Sequence, residues 1–525
     1  MDLVGNRNLI SLLNTNVKRQ PSNAFITTET GDSITWKDFS IKVNQYAGTF
    51  FNQGINKGTY VVVHHRTTPD LLSIMFGLYK IGAVVVMSNI ANTKDDLSYI
   101  IEYTNSKFIV FEGCSGDTEY INHIQSKFKI DKIFLHQKLN LDINDGLFEI
   151  KKYIENANID IPLPTLKILP DDPATMIFTS GTTARPKGVI YSHGNHIFSG
   201  EIVARTLKIE NNDIFMHHFP LFHMNGLGQI FAVLTAGCNL LLFERFRSSV
   251  FIERIERFRP TITHLNSTHI KMILNHIHDS RYRNDTFKSI GFSLKLSNEV
   301  CDRFEAIFGS VLIELYGLTE SISIPLANPF HLNRKRQSCG IPTLGYEVKI
   351  VNEFGQEQKP FEHGEIVIRC FSKYGIMSGY YNKLEETKET IKDGWLYTGD
   401  VGFYDDEGYF YMVDRRKDII KRAGENISAR EIEEAIESHP LISEVGVIGV
   451  FDPLREEVPK AFVVRKEASL TEQQLKEYCK ERLANFKVPQ YIEFMDKLPK
   501  TAVGKIEKKL LRAMEERKGF KNEFK

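Results

Sequence analysis

The stretch Ala174–Ile190, with the sequence ATMIFTSGTTARPKGVI, constrains the fold more than any other part of this chain. Its first residues form an apolar run that predicts a short buried strand. The strand leads into hydroxyl side chains, a glycine and then RPKG. Hydroxyls and backbone N–H groups donate hydrogen bonds to phosphate oxygens, and Lys187 offsets their charge. We predict a polyphosphate-binding loop; a surface turn rich in Ser, Thr and Gly is the ordinary alternative. It is not a Walker A loop, because Gly188 follows the lysine.

The string TSGTTARPKG resembles the phosphate loop of the adenylate-forming superfamily, which comprises acyl-CoA synthetases, luciferases and the adenylation domains of peptide synthetases. The family usually has glycine where this chain has Ala184. The resemblance implies that Thr179 takes part in catalysis. It also implies that ATP is bound by residues at both ends of the loop and within it: Thr179, Ser180, Gly181, Thr182, Thr183 and Lys187.

A second motif, IELYGLTES at residues 313–321, predicts a strand that delivers an aromatic side chain and a carboxylate to one loop. An aromatic ring can stack on a purine, and a carboxylate can hold Mg²⁺ through oxygen. A turn capped by threonine is the alternative for the motif by itself. The string resembles the adenine and metal motif of the same family, which implies that Glu320 is a catalytic residue and the Mg²⁺ ligand. It also implies ATP contacts from Glu314, Tyr316, Gly317 and Thr319.

Three further strings follow in the order of the family. GWLYTGD ends in Asp400, which the resemblance implies binds the ribose together with Arg415; for the string by itself, a Gly-Asp turn is the ordinary explanation. In RRKDIIK, Lys417 matches the family's hinge residue, and in KRAGENIS, Gly424 matches a glycine of the thiol channel. KTAVGK resembles the last motif, in which Lys505 is the lysine that enters the active site. The alternative for Lys505 is an ordinary surface charge in a lysine-rich tail.

The segment HHFPLFHMNGLG at residues 217–228 contains three histidines, but their spacing fits no usual metal-ligand set. A buried, hydrogen-bonded His223 is an equal alternative to a functional one. The resemblance implies that His223 and Gly226 lie between the acyl pocket and the thiol route, with Leu296 of FSLKLSN on the pocket wall. Adenylation domains for amino acids tend to have an aspartate in this region, whereas this chain has Asn225. An α-amino acid therefore lacks its expected counter-charge.

With 525 residues, the chain is too long for a single core. Short β-branched runs such as Tyr60–His64 alternate with helical stretches such as Asp70–Lys80, which indicates parallel sheets covered on both faces. We predict a hairpin over residues 24–35, and a turn over Val401–Gly408 with a strand after it. Residues 427–525 predict helix, strand, strand, helix, strand.

The predicted fold class is therefore α/β. A large N-terminal domain of stacked α/β sheets with a β-barrel-like subdomain precedes a small, mobile α+β C-terminal domain. We place the N-terminal domain at residues 1–414, the hinge at 415–419 and the C-terminal lid domain at 420–525.

The charge balance excludes some partners. Lys+Arg and Asp+Glu are both 66, so no net field attracts nucleic acid or an acidic membrane. Six cysteines without a C-x-x-C pair indicate reduced thiols rather than disulfides or a zinc site. The N-terminal residues form no signal peptide and no apolar stretch is long enough to span a bilayer, so we predict a cytoplasmic protein. The sequence does not determine an oligomeric state.

The resemblance covers the chain from Thr35 to Lys505 and is closest to the crotonobetaine/carnitine–CoA ligase branch of the family. It implies a ligase that uses ATP and Mg²⁺ to join a small-molecule carboxylate to coenzyme A through an acyl-adenylate, with crotonobetaine, carnitine or γ-butyrobetaine as the acid. A short- or medium-chain fatty acid–CoA ligase and a stand-alone adenylation enzyme that loads a carrier protein are the alternatives. A nucleotide-binding protein without chemistry is disfavoured because Glu320 and Lys505 are both present.

Overall fold

The computed structural model describes residues 2–114, 116–137, 139, 146–156, 166–179, 185–279, 281–293, 296–309, 311–330, 333–422, 425–500 and 505–522. The chain divides into two compact units. The first unit comprises Met1–Val348 and Ile368–Leu396, and the second comprises Lys349–Val367 and Tyr397–Lys525. These units do not coincide with the predicted boundary at residues 415–419. The predicted boundary marks a hinge about which the C-terminal domain would rotate, and it stays a prediction.

A seven-stranded sheet carries the phosphate-loop stretch. Its strands, in spatial order, are Leu147–Glu149, Lys132–Leu135, Phe108–Phe111, Tyr60–His64, Val84–Met87, Pro173–Thr179 and Lys187–Ser192. The pairs from Leu147–Glu149 to Pro173–Thr179 are parallel, and only the last pair is antiparallel. The central strands are Val- and Ile-rich and buried except at the partly buried Tyr60 and Phe108, as expected for parallel strands covered on both faces.

A nine-stranded sheet carries the adenine motif. Its strands, in spatial order, are Ile341–Pro342, Leu326–Ala327, Val311–Tyr316, Ser289–Ser293, Ile262–Asn266, Ile214–His217, Asn239–Leu242, Ala24–Thr28 and Ser33–Thr35. Its core is an apolar cluster that includes Leu265, Ile290 and Phe304. The last two strands form the predicted hairpin.

The first unit contains twelve helices among the residues that the structure describes. They are Leu9–Arg19, Trp36–Asn52, Pro69–Lys80, Lys94–Thr104, Asp117–Lys127, Ile150–Asn156, His193–Leu207, Met224–Ala236, Phe251–Phe258, Ser267–His276, Asn298–Phe308 and Leu384–Thr390, with 3₁₀ turns at Ser248–Val250 and Thr319–Ser321. Several begin at a side-chain cap, such as Thr68 before Pro69, whose fixed φ suits the first helical position.

A five-stranded sheet is formed by Tyr346–Val351, Gly364–Cys370, Trp395–Tyr404, Ile391–Lys392 and Phe410–Arg415. The prediction of a turn over Val401–Gly408 is wrong for its first half. The strand continues to Tyr404 and pairs with Phe410–Arg415, so only Asp405–Gly408 turns the chain. Gly402 permits this pairing, because a Cβ there would lie 2.5 Å from the carbonyl oxygen of Tyr411.

The C-terminal part of the second unit is an α+β structure. Its sheet contains Glu425–Ser428, Ile419–Arg422, Glu456–Arg465 and Ile442–Asp452, and Tyr491–Phe494 pairs with Glu456–Arg465. The helices are Ala429–Glu437, Glu472–Lys480 and Lys508–Asn522, after a 3₁₀ turn at Arg416–Asp418. The predicted order of helix, strand, strand, helix and strand is confirmed. The terminal helix Lys508–Asn522 was not predicted.

The fold class is confirmed: the chain is an α/β protein with several sheets and a C-terminal α+β domain. All six cysteines are free thiols. Across the described helices, none has both the length and the apolar character needed to cross a bilayer.

Candidate active site

The two strands that flank the phosphate loop fix its ends. Thr179 and Lys187 are register partners in the antiparallel pair. The Nζ atom of Lys187 lies 4.7 Å from the ring centroid of Tyr380, so a cation–π contact orients the lysine. The hydroxyl of Tyr99 donates to the carbonyl of Pro186 over 2.8 Å. The predicted phosphate ligands Ser180, Gly181, Thr182 and Thr183 lie outside the described residues.

The adenine motif lies at the carboxyl end of the strand Val311–Tyr316. Glu314 is buried, and Tyr316 is half-buried at the last position of the strand. A Cβ on Gly317 would lie 2.5 Å from the carbonyl oxygen of Ser323, so the chain can turn here only with glycine. Thr319 and Glu320 follow in the 3₁₀ turn. These residues therefore lie on one continuous segment, which runs from the end of the strand into the 3₁₀ turn: Glu314, Tyr316, Gly317, Thr319 and Glu320.

Three tyrosine hydroxyls hold the turn Thr319–Ser321; we call Tyr191, Tyr346 and Tyr380 the tyrosine cradle. Tyr191 donates to the carbonyl of Thr319 over 2.6 Å, and Tyr346 donates to the carbonyl of Ser321 over 2.8 Å. The hydroxyl of Tyr380 donates to Oε1 of Glu320 over 2.8 Å. Burial and the neighbouring Glu320 carboxylate raise the pKa of Tyr380, so its hydroxyl stays a donor.

The residue after this turn is strained. Ile322 has φ 63° and ψ −39°, and the N–H of Ser323 donates to the carbonyl of Ser321 over 2.6 Å. This is a γ-turn with positive φ at a β-branched residue, which costs on the order of 1–3 kcal/mol. The Tyr191 and Tyr346 hydrogen bonds hold the backbone of the turn against this cost. Strain of this kind is concentrated at functional sites.

The geometry of Glu320 fits a divalent cation. Its Oε1 atom accepts the Tyr380 hydrogen bond, and among the described residues no donor or cation contacts Oε2. Nowhere in the described part of the chain do three His, Cys, Asp or Glu side chains converge as a metal cluster. Glu320 would therefore hold Mg²⁺ with water and phosphate oxygens as the other ligands, which is the usual coordination of this ion.

The predicted acyl-pocket residues lie at two places in the first unit. His223 is the N-cap of the helix Met224–Ala236, and Gly226 lies in the first turn of that helix. A Cβ on Gly226 would lie 2.2 Å from the carbonyl oxygen of Pro220, so glycine is required. Leu296 is buried and lines a cavity of about 20 Å³ together with Glu314.

The second unit contains the predicted ribose pair. Asp400 and Arg415 are register partners on adjacent strands, and Nε of Arg415 lies 2.6 Å from Oδ1 of Asp400. The Asp400 side chain is buried, whereas that of Arg415 is 43% exposed. The ion pair with Arg415 holds the buried Asp400 carboxylate in one orientation.

The charges of Arg415 and Asp400 both act on the ammonium of Lys505. Burial lowers the pKa of Lys505, and Arg415 and Arg430 lower it further, whereas Asp400 opposes them. The lysine keeps part of its surface accessible, so hydration moderates the effect of burial. Lys417 is exposed in the 3₁₀ turn Arg416–Asp418. Gly424 lies outside the described residues.

The terminal helix connects Lys505 to the predicted hinge. Lys508, three residues after Lys505, forms an ion pair of 2.8 Å with Glu433, and the Glu433 carboxylate also accepts from the N–H of Val447. Arg512, one turn further, donates to the carbonyl of Lys417 over 3.2 Å and pairs with Asp418. Neither Glu433 nor Arg512 belongs to a motif.

The comparisons with known proteins define the class of the chain. Residues 13–381 match the AMP-binding enzyme family, and residues 431–505 match the AMP-binding enzyme C-terminal domain. The chain therefore belongs to the AMP-binding enzymes, and it is an AMP-forming acid–thiol ligase of the acyl-CoA synthetase class.

Two relatives are similar to this chain over at least nine-tenths of its length. The chain is similar to the crotonobetaine/carnitine–CoA ligase of Citrobacter koseri, with 31% identity over 98% of this chain and 100% of the relative. The protein of the same name from Salmonella arizonae is 32% identical over 91% of this chain and 93% of the relative.

Solved structures share the fold. The o-succinylbenzoate CoA synthetase MenE from Bacillus subtilis, in complex with ATP and magnesium ion, has a TM-score of 0.82 and 26% identity over 94% of this chain and 98% of that one. ATP-bound MatB from Rhodopseudomonas palustris has a TM-score of 0.85 at 24% identity over 97% and 99%.

The tyrosine cradle was not predicted from the sequence. The chain contains 20 tyrosines, and nothing in their local sequence distinguishes these three. Each contacts Thr319–Ser321 only through the tertiary fold, from positions between 25 and 128 residues away.

Proposed function

We propose that this enzyme joins a small carboxylic acid to coenzyme A in an ATP- and Mg²⁺-dependent reaction that proceeds through an acyl-adenylate and releases AMP and pyrophosphate. The observation that carries the proposal is the Glu320 carboxylate, which Tyr380 holds through one oxygen while the other has no partner among the described residues. Coenzyme A is the proposed thiol because the relatives are named CoA ligases.

In the first half-reaction the acid attacks the α-phosphate of ATP. Both reactants are anionic, so positioning and charge neutralisation supply most of the catalysis. We assign the β- and γ-phosphates to Thr179, Lys187 and the loop between them, and the bridge between the attacking carboxylate and the α-phosphate to Lys505. Mg²⁺ held by Glu320 would neutralise charge on the pyrophosphate leaving group.

The remaining nucleotide contacts follow from the same assignment. Tyr316 supplies an aromatic face for adenine, and Asp400 with Arg415 forms the ribose site. Glu314, Gly317 and Thr319 belong to the same nucleotide site. For the second half-reaction, we assign Lys417 to the hinge of the C-terminal domain, and His223 and Gly424 to the route of the thiol.

Two classes of acid are candidates for the acyl group. The names of the relatives favour crotonobetaine and carnitine, and with them γ-butyrobetaine. Short- and medium-chain fatty acids are the second class. Asn225 stands where adenylation domains for amino acids tend to have an aspartate, so α-amino acids are not among the candidates.

Two assays on the purified full-length chain test the function. Acid-dependent exchange of pyrophosphate into ATP reports adenylation, and thioester formation with coenzyme A reports the second step. We expect both activities with at least one acid of a panel containing the three betaines and the linear acids from acetate to octanoate. Exchange without thioester formation would favour a carrier protein as the acceptor, and no exchange with any acid would contradict the proposal.

A further inference from the structure

A buried histidine outside every motif connects the two strands that flank the phosphate loop. Nε2 of His196 lies 2.7 Å from Oγ1 of Thr175, which is on the strand that enters the loop. The imidazole ring stacks on the ring of Tyr191, which is on the strand that leaves the loop, with 5.3 Å between the ring centroids and 14° between the ring planes. Thr175 and Tyr191 are register partners, so the one histidine side chain spans both strands.

The hydrogen-bond directions around Thr175 can be assigned. The hydroxyl of Tyr79 lies 2.7 Å from Oγ1 of Thr175 and has no other hydrogen-bond partner among the described residues. Tyr79 is fully buried, and an O–H group without an acceptor is costly in a dry site, so Tyr79 donates to Thr175. Thr175 then donates its own proton to Nε2 of His196. Burial lowers the pKa of His196 well below its ordinary value, so the ring is neutral and its one proton is on Nδ1.

The packing around His196 restricts the orientation of the Tyr191 ring. The ring of Phe231 lies 4.2 Å from the imidazole ring, centroid to centroid. The side chains of Thr175, Tyr191, His196 and Phe231 are all at most 2% exposed. Aromatic rings packed at these distances limit each other's rotation. His196 therefore fixes the plane of the Tyr191 ring relative to the strand Pro173–Thr179.

The hydroxyl of Tyr191 extends this connection to the turn Thr319–Ser321. It donates to the carbonyl of Thr319 over 2.6 Å, and the next residue along the chain is Glu320. Burial and the charge of the Glu320 carboxylate raise the pKa of Tyr191, so its hydroxyl stays a donor. The residue after the turn, Ile322, is strained, so the turn needs contacts of this kind to keep its shape.

We propose that His196 is a positioning residue of the adenylation step: through the Tyr191 hydroxyl, it sets the position of Glu320 relative to the phosphate loop. The inference rests on the proposed function, which assigns Mg²⁺ to Glu320 and the β- and γ-phosphates to the loop. A metal ion shared by a carboxylate and phosphate oxygens requires both at a fixed separation. Phenylalanine at position 196 would fill the same space but could not accept the hydrogen bond from Thr175.

Binding of Mn²⁺ in the presence of a non-hydrolysable ATP analogue, followed by electron paramagnetic resonance, measures the effect without turnover. Tyr191→Phe removes the hydroxyl and should raise the Kd of Mn²⁺ by about 5-fold, the loss of one hydrogen bond to a neutral acceptor. His196→Gln keeps an acceptor for Thr175 but removes the stacked ring, and should raise the Kd by about 3-fold or more. The double variant should bind Mn²⁺ no more weakly than Tyr191→Phe alone, because His196 acts only through that hydroxyl. The Mg²⁺ concentration for half-maximal pyrophosphate exchange should change in parallel.

His64, on another strand of the seven-stranded sheet, is the matched control because it makes the same two kinds of contact. Its Nδ1 lies 3.1 Å from the hydroxyl of Ser88, and its ring stacks on that of Tyr120 at 5.5 Å. His64→Gln should lower the melting temperature to a similar extent and leave the Kd of Mn²⁺ unchanged. If His196→Gln does not fold, Thr175→Val tests the same link. It keeps the shape of the side chain and removes the hydroxyl that holds the ring, so the Kd should rise by about 2-fold or more.

The outcomes separate this inference from the proposed function. A folded His196→Gln or Thr175→Val protein with an unchanged Kd would show that His196 only packs the core, and would overturn the inference. Equal shifts in His196→Gln and His64→Gln, or shifts that add in the double variant, would overturn it as well. In each of these cases, exchange activity of the unaltered chain leaves the proposed function standing. If no acid of the panel supports exchange, the proposed function fails and the inference fails with it.

Discussion

The hydroxyl of Tyr380 is the contact that fixes the position of the Glu320 carboxylate. A carboxylate that binds Mg²⁺ together with phosphate oxygens must be correctly oriented before the nucleotide arrives. A hydrogen bond to a charged group contributes about 1.5–3 kcal/mol. The hydrogen bond from Tyr380 to Oε1 therefore supplies enough free energy to restrict Glu320 to one orientation.

We expect Tyr380→Phe to raise the Mg²⁺ concentration needed for half-maximal pyrophosphate exchange by roughly 10-fold, in line with the loss of one such hydrogen bond. The ring, and with it the contact to Lys187, is retained. Binding of Mn²⁺ in the presence of a non-hydrolysable ATP analogue, followed by electron paramagnetic resonance, should weaken in parallel. Tyr381→Phe is the matched control. If Mn²⁺ binding is unchanged in Tyr380→Phe, the positioning role is wrong.

Lys505 is predicted to act only in the first half-reaction, because only adenylation brings a carboxylate against the α-phosphate. Lys505→Ala should lower the exchange rate by about 10²–10³-fold, the loss seen when one transition-state donor is removed. Thioester formation from preformed acyl-adenylate and coenzyme A should be spared. Equal losses in both assays would contradict the assignment.

The lowered pKa of Lys505 gives a second test of the same residue. Its ammonium is lost as the pH rises through a pKa below the ordinary 10.5, so adenylation should decline on the alkaline side earlier than an ordinary lysine would allow. Lys505→Arg keeps the positive charge far above this range. The variant should therefore lose the alkaline decline in the pH profile of exchange, whatever its absolute rate.

The elements differ in how well the sequence predicts them. The strand Tyr60–His64 was predicted with its observed bounds, and the strand predicted from the apolar residues at 174–178 is observed as Pro173–Thr179, because both stretches are short, apolar runs. The terminal helix Lys508–Asn522 was missed because most of its residues are charged, and among those described only Leu511 is fully buried, with Met514 partly buried beside it. Ion pairs with Glu433, Asp418 and Glu493 hold it, and these partners lie between 25 and 94 residues away.

The residues of the candidate site also divide into those that a local motif predicts and those that only the tertiary fold brings to the site. Thr179, Glu320 and Asp400 lie in contiguous strings, so the resemblance predicts them directly as candidate site residues. Tyr191, Tyr346 and Tyr380 support those strings from elsewhere in the fold. A single sequence contains no signal for a hydrogen bond between distant residues, which is why the supporting residues became visible only in the structure.

The terminal helix links Lys505 to the predicted hinge, and Arg512 is the residue that can test this link. Arg512→Gln removes the ion pair with Asp418. We expect the ratio of exchange to thioester formation to change by at least about 3-fold while the melting temperature changes little, since single partly exposed ion pairs contribute about 0–1 kcal/mol. Arg517→Gln, an exposed position on the same helix, is the control. An unchanged ratio would show that the link is only structural.

At the scale of the whole molecule, two half-reactions with different requirements have to be served by one chain. In the proposed mechanism, adenylation needs Lys505 at the acid and the α-phosphate, whereas thioester formation needs an open route for coenzyme A. The predicted solution is a rotation of residues 420–525 about residues 415–419. The backbone at the hinge must then adopt two conformations, one for each step.

Lys417→Pro tests this rotation. Proline fixes φ near −65° and should leave only the half-reaction that uses that conformation. One of the two activities, pyrophosphate exchange or thioester formation, should be retained while the other is lost. Lys417→Ala should change both much less, because alanine keeps both backbone conformations. If Lys417 is instead an ordinary surface residue, its replacement by alanine changes stability by about ±0.5 kcal/mol at most, and proline lowers both activities together or neither. Measuring both half-reactions on the two variants, each with its melting curve, decides between a hinge and a surface charge.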